Sequence, residues 1–360
     1  MSFNLQGILR RDLNVIVPYE APRVGEGVIK LDANENPFEF PENIIKEIRE
    51  CLTYSFARYP DPMSTELIAA LSEYTGVQKE GIMAGNGSDE LILNLLLVFG
   101  NGGHVIIPTP TFSMYRIHSL IAGAKPVEVS RGSKFEVDVS AVVEVCKRYQ
   151  ARAVIVCSPN NPTANTTPVE DIKRLLEQIE ALVVVDEAYI EFGGESCLKL
   201  LNRYPSLVIL RTFSKAFGLA GLRVGYLLGN PEVVKEIYRV KQPFNLNTFS
   251  QLAARTALSN NGKFKSLVGQ ILSMRDKLAE EMSVIKNVTV FPSEANFILF
   301  RTQLKGKEVF EGLLKKGVLV RNVHAPGIED CLRVTVGRES ENKFFLDSLQ
   351  AVLKEGGFTE

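Results

Sequence analysis

An excess of charge of either sign is missing from this chain: 41 Lys plus Arg stand against 42 Asp plus Glu in 360 residues, a formal net charge of −1. Nucleic acid and anionic membrane both call for a sustained positive field, so neither is an expected partner. Apolar runs of bilayer length, about 18 residues, are missing too. The opening MSFNLQGILRRDLNVIVPYE is mixed in charge and lacks the apolar core of a signal peptide, so a cytoplasmic protein is expected. Cysteine is sparse. Cys51, Cys146, Cys157, Cys197 and Cys331 are odd in number and contain no CxxC, which supports neither disulfides nor zinc and makes reduced thiols the default. His104, His118 and His324 give no HExxH or similar spacing, so no metal site is expected.

Repeats, low-complexity tracts and Gly/Ser linkers are lacking as well, so organisation has to be read from alternating patterns. The composition is that of a soluble globular protein, 45% hydrophobic and 23% charged, and the length suits two domains. GHVIIP (103–108), ARAVIVCSP (151–159), ALVVVDEAY (181–189) and SLVILRTFS (206–214) are short Val/Ile/Leu-rich runs separated by stretches of helical spacing. Such runs fit strands buried on both faces of a parallel, doubly wound sheet. PEVVKEIYRVKQ (231–242) reads as a helix closed by Pro243, and Leu267, Ile271, Leu278, Met282 and Ile285 mark a long amphipathic helix after it. VTVFP with NFILF, VLVRNV and CLRVTV then predict a smaller α+β unit with a mixed or antiparallel sheet. The first 50 or so residues hold one good helix, PENIIKEIREC, and are expected to pack onto that unit or onto a partner chain. The expected division is 1–54 as N-terminal arm and part of the small domain, 55–250 as the large α/β domain, and 251–360 as the small C-terminal domain.

Ligands of open α/β sheets bind beyond the carboxyl ends of the strands, and there the residues turn polar. One run opens into SPNNPT with Asn160 and Asn161, the next ends in Asp186, Glu187 and Tyr189, and the last in Ser214 and Lys215. Singly, these read as a turn, a helix cap and a solvated lysine. Upstream, GNGSDE (85–90) opens a helical stretch: its free N–H groups form a natural phosphate site, or else Ser88 simply caps the helix. Lys215 lies in RTFSKAFGLAGLRVGY between Arg211 and Arg223, and cationic neighbours with partial burial lower a lysine pKa, as a Schiff-base nucleophile requires. Pyridoxal phosphate also needs an acid for its pyridinium nitrogen, donors for its ring oxygen and an anion site. Asp186, Asn161 with Tyr189, and the Ser88 loop with Arg223 can supply these.

SKAFGLAGLRVGY, SPNNPT, VVVDEAY, GNGSDE and RYPDP (58–62), in this order and spacing, resemble the fold-type I pyridoxal-phosphate aminotransferases, class II, over nearly the whole chain. LDANENP (31–37) and the short length are similar to the histidinol-phosphate aminotransferase branch. The resemblance implies a large domain with a mostly parallel, seven-stranded-type sheet flanked by helices, plus a smaller α+β domain. It implies that Lys215 carries the cofactor, that Asp186 pairs with the pyridine nitrogen, that Asn161 and Tyr189 bond the phenolic oxygen and that Tyr115 stacks on the ring. Ser88, backbone N–H groups near Asp89, Ser214 and Arg223 would hold the phosphate. Tyr59 would reach the phosphate of a neighbouring subunit, which implies a homodimer with shared sites. Where relatives commonly have glycine after NNPT, this chain has Ala164.

The implied reaction is transamination of L-histidinol phosphate with 2-oxoglutarate, giving imidazole-acetol phosphate and L-glutamate, as in histidine biosynthesis. Lys215 would move the proton, with Asp186 and Tyr189 as the other catalytic groups. One site must grip both a phosphate and a dicarboxylate, which suits arginine forks; Arg333 in CLRVTVG matches the family position and Arg321 in VLVRNV is the second arm. Tyr19 and Asn34 are further candidates for the substrate pocket. A threonine-phosphate decarboxylase, an aromatic or broad-range aminotransferase, and a non-catalytic pyridoxal-phosphate-binding regulatory module are the competing readings.

Overall fold

The computed structural model describes residues 4, 8–18, 25, 27–51, 57–323 and 325–356. In chain order the strands are β1 (Ile29–Lys30), β2 (Ile82–Asn86), β3 (His104–Thr109), β4 (Lys125–Ser130), β5 (Ala153–Cys157), β6 (Leu182–Asp186), β7 (Leu207–Thr212), β8 (Val224–Gly229), β9 (Val288–Val290), β10 (Phe297–Thr302), β11 (Val318–Leu319), β12 (Arg321–Val323) and β13 (Cys331–Thr335). The helices are α1 (Glu42–Cys51), α2 (Thr65–Thr75), α3 (Gly87–Leu95), α4 (Met114–Ile121), α5 (Val139–Tyr149), α6 (Val169–Gln178), α7 (Pro231–Ile237), α8 (Thr248–Ser259), α9 (Asn261–Ser283), α10 (Gly306–Lys315) and α11 (Glu339–Glu355). Among the described residues, no helix is long and apolar enough to cross a membrane.

The expected apolar runs are β3, β5, β6 and β7, and the last three are buried at every residue. Among the described residues they join β2, β8 and β4 in a seven-stranded sheet of order β2-β8-β7-β6-β5-β3-β4, in which β8 runs against both its neighbours. Strand alternation divides the apolar side chains between two faces. Val183, Val185 and Ile209 pack against α2, α5, α6 and α8 on one face, while Val184, Leu210 and Ile155 pack against α3, α4 and α7 on the other.

The C-terminal part builds a four-stranded sheet, β12-β13-β10-β9, antiparallel throughout. VLVRNV breaks at Val320: β11 pairs in parallel with β1 from the N-terminal segment, whereas β12 pairs with β13. The N-terminal residues thus divide, Leu31 entering the C-terminal core and Ile44 and Ile48 the core beside the large sheet. Helix α9 connects the two, with Phe264, Val268 and Ile271 in one core and Leu278 and Met282 in the other. Ile285, expected on its stripe, lies past the helix end. The helix expected over 231–242 stops at Ile237, because the bonds after it tighten to a three-residue step, Arg239 N–H to Glu236 O and Val240 N–H to Ile237 O. Pro243 then bars Gln242 from helical backbone.

Candidate active site

Asp186 ends β6 beside Cys157, its register partner at the end of β5. Alternation turns its carboxylate to the α3/α4 face, where it is 3% exposed. Its Oδ2 accepts the Tyr115 hydroxyl at 2.7 Å and its Oδ1 the Ala188 N–H at 3.0 Å. Burial pushes the carboxyl up to about 6, and these two hydrogen bonds oppose that rise. Tyr115 was expected to stack on a ligand ring. The structure corrects this: Tyr115 is fully buried in the core under the sheet, so neither face of its ring is open, and only its hydroxyl reaches the site. Phe112, which precedes it by one helical turn in the same PTFSMY segment, stays partly exposed and meets Tyr115 edge-on at 5.5 Å.

Lys215 follows β7. Its half-buried amine donates to Ala33 O at 2.8 Å and lies 5.7 Å from the centre of the Tyr189 ring. Burial, then the charges of Arg333 and Arg223, brings its pKa down to about 8. Arg211, expected as one of the cations responsible, points to the opposite face of the sheet. There it is buried against Glu187, 2.8 Å from Oε2, and serves the packing of β6 on β7.

The GNGSDE segment folds as β2 running into α3. Asn86, not Ser88, occupies the cap position, and Glu90 accepts the Asn86 N–H, so Ser88 lies within the first turn. A Cβ on Gly225 of β8 would sit 2.5 Å from the Ser88 nitrogen, and one on Gly87 would sit 2.7 Å from Arg223 Nη2. Glycine therefore lets the helix start, the sheet and Arg223 close into one cradle. Arg223 bridges it, with Nη2 3.1 Å from Asp89 Oδ2 and Nη1 3.4 Å from Ser214 Oγ. The α3 start, the Ser214 hydroxyl and a guanidinium thus lie together, donors of the kind that bind an anion.

The C-terminal sheet supplies the other wall. Arg333 is 7% exposed; its Nη1 donates to Asn161 Oδ1 at 2.5 Å, its Nη2 donates to Asp32 O, and its guanidinium lies 5.3 Å from the Phe297 ring centre. Arg321 is its register partner across β12 and β13, so both arginines share a sheet face. Asn34, expected to line the substrate pocket, is 1% exposed and acts as a joint instead. Its Nδ2 donates to the Tyr189 hydroxyl at 2.9 Å, its N–H to Thr335 Oγ1 at 2.9 Å, and its carbonyl accepts from Asn296 Nδ2 at 3.0 Å. With φ at +54°, it holds a left-handed conformation that asparagine tolerates.

Asn160, named with Asn161 in SPNNPT but given no role there, has a structural one. Fully buried, it accepts from Thr111 and Arg131 and donates to Pro110 O and Thr163, and so locks the loop that presents Asn161. The doubled asparagine in SPNNPT was the available signal. Ala164, the departure noted above, is buried at φ +60°, where glycine has no steric cost. Tyr59 is not brought to the site within this chain: it is 80% exposed and stacks on Phe244 at 4.5 Å, beside a surface cavity of about 380 Å³ lined by Asp61, Gln251 and Arg255. Tyr19 and His324 lie outside the described residues.

A lysine amine of lowered pKa, a buried carboxylate and a glycine-lined anion cradle meet the requirements of an aldehyde cofactor bearing a phosphate. Residues 26–349 match the family described as Aminotransferase class I and II. The chain belongs to this family. Among the relatives of this aminotransferase, a histidinol-phosphate aminotransferase 1 of Carboxydothermus hydrogenoformans is 43% identical over 93% of this chain and 96% of its own. A histidinol-phosphate aminotransferase of Caldanaerobacter subterraneus subsp. tengcongensis is 39% identical over 97% of this chain and 99% of its own. In three dimensions the aminotransferase is similar to histidinol-phosphate aminotransferase from Sinorhizobium meliloti in complex with pyridoxal-5'-phosphate, with a TM-score of 0.88 at 22% identity, over 97% of this chain and 98% of that one. That likeness establishes the shared fold.

Proposed function

We propose that this aminotransferase binds pyridoxal phosphate and transfers the amino group of L-histidinol phosphate to 2-oxoglutarate, giving imidazole-acetol phosphate and L-glutamate. Relatives of that name at 39% and 43% identity over nearly full length carry the reading. The convergence of Lys215, Asp186 and two arginines at one place supports it. Pyridoxal phosphate, when bound, supplies an aldehyde carbon and a pyridinium ring that takes up negative charge from the substrate Cα.

The remaining work falls to the chain. Lys215 would hold the cofactor through its aldehyde carbon; its pKa of about 8 leaves an appreciable neutral fraction near neutrality. The same amine would take up the substrate Cα proton and hand it on as general base and acid. Asp186 holds the proton on the pyridine nitrogen. Asn161 and Tyr189 address the phenolic oxygen, with Tyr189 steadied by Asn34. Ser88, the N–H groups at Asp89, Ser214 and Arg223 hold the phosphate. Phe112, rather than Tyr115, would face the cofactor ring. Arg333 and Arg321 would grip the anionic end of either substrate.

The same reading divides the chain at 54 and 250 into N-terminal arm, large cofactor-binding domain and small C-terminal domain, and assigns the enzyme to the cytoplasm. It makes the enzyme a homodimer: Tyr59, exposed and stacked on Phe244, would complete the phosphate site of the other subunit. The test is a single-turnover comparison on purified holoenzyme with histidinol phosphate, threonine phosphate and phenylalanine. Amino transfer from histidinol phosphate, with glutamate formed from 2-oxoglutarate, is expected. Carbon dioxide released from threonine phosphate, without turnover of histidinol phosphate, would replace the reading with a decarboxylase.

A further inference from the structure

We infer that Tyr115 is a positioning residue for Asp186, its hydroxyl fixing the carboxylate and favouring the ionised form that holds the ring nitrogen. The inference rests on the proposed pairing of Asp186 with that nitrogen and adds a residue which touches neither cofactor nor substrate.

The geometry gives the hydroxyl one carboxylate to bond, with the neutral Cys157 thiol as its other neighbour. Tyr115 is the second residue of α4 and is fully buried against Ile107, Ile155 and Cys157 of the sheet, with Phe112 across its edge. A ring so enclosed has no room to swing away. Its 2.7 Å bond reaches Oδ2, while Ala188 N–H occupies Oδ1. Together the two donors fix the plane of the carboxylate, and each oxygen keeps acceptor capacity for a third.

The surroundings of Asp186 make this donor consequential. On its own strand end, Glu187 repels the charge, as does Asp89 from α3. Cys157 on β5 has its thiol pushed up to about 12 by burial and stays neutral. The Tyr189 hydroxyl is likewise held neutral by burial, up to about 12, and Arg131 beyond β4 faces Cys157 and Tyr115. Burial and two like charges therefore favour the protonated acid, which cannot pair with a pyridinium proton. A hydroxyl donor opposes them because it strengthens only toward the anion.

The test is the cofactor affinity of the apo chain, measured by absorbance titration at about pH 6 and about pH 8.5. In Tyr115→Phe the carboxyl titration should rise by about one unit, so affinity relative to the native chain should fall about fivefold at pH 6 and return to near parity at pH 8.5. Cys157→Ala, which removes a buried neighbour but not the hydrogen bond, should keep the native pH dependence. An unchanged affinity at both pH values, a uniform loss at both, or a Cys157→Ala chain that behaves like Tyr115→Phe overturns the inference. Should Tyr115→Phe not fold, the Asp186 carboxyl resonance of the native apo chain decides: it must show a deuterium isotope shift from a slowly exchanging hydroxyl, and its absence overturns the inference. Asp186→Asn separates the two layers. Binding in that variant that is weakened at pH 8.5, and changes with pH less than in the native chain, upholds the pairing whatever Tyr115→Phe does, whereas native-like binding removes the pairing and the inference with it.

Discussion

Replacing Asp186 by asparagine should stabilise the cofactor-free protein while weakening its hold on the cofactor. The carboxyl titrates near 6 in the folded chain, and burial is the main cause. Unfolded, it titrates near about 3.9, so the difference of roughly two units corresponds to about 3 kcal/mol. The sign follows from proton binding. Because the folded state holds this proton more tightly, its stability is fully present below about pH 4 and is lost as pH rises through about 6. Asparagine removes the buried charge, and its carboxamide can accept from Ala188 N–H only by donating to the Tyr115 oxygen, reversing that bond. An imperfect fit returns about 1 kcal/mol, leaving a net gain of about 1 to 3 kcal/mol at pH 8 and almost none at pH 4. Urea unfolding of native and Asp186→Asn apo chains at the two pH values measures this directly. A variant no more stable than the native chain at pH 8, or a gain that does not shrink on acidification, would refute the reasoning.

Three further outcomes are expected. Gly225→Ala places a methyl 2.5 Å from the Ser88 nitrogen, so the first turn of α3 must shift; cofactor affinity should fall by about tenfold or more, with about 1 to 3 kcal/mol of stability lost to overpacking, by calorimetry. Arg333→Ala should weaken histidinol phosphate and 2-oxoglutarate together by about 2 to 5 kcal/mol, seen as parallel losses in kcat/KM. Capture of the cofactor aldehyde by the apo chain should speed up as pH rises toward about 8, where the Lys215 amine loses its proton, and flatten above it; stopped-flow absorbance across that range gives the profile.

The parts of the site legible in the sequence are those fixed by where a strand ends. β5, β6 and β7 are continuous apolar runs, so Asp186 at the carboxyl end of its strand, and Asn161 and Lys215 just past theirs, are legible from the pattern alone. Residues whose role depends on rotation about a helix or on strand parity were harder. Tyr115 and Phe112 lie three apart at the start of α4, and only packing decides that the first faces the core. Arg211 and Lys215 are close in sequence, yet alternation sends the arginine to the other face, and the cation that most lowers the amine's pKa comes from β13, over a hundred residues away in the chain. β4 went unread because it is an edge strand with charges and a proline, and β8 because its glycines and reversed direction break the pattern of its neighbours. Asn34 depends on contacts to Tyr189, Thr335 and Asn296 from distant segments.

Borohydride reduction of the cofactor-loaded chain, followed by peptide mass spectrometry, tests the role of Lys215 most directly. The reduced pyridoxyl phosphate should appear on the peptide containing Lys215 and be absent from a Lys215→Ala chain treated in the same way. A covalent adduct on another lysine of the native chain, or one that persists in Lys215→Ala, contradicts the assignment.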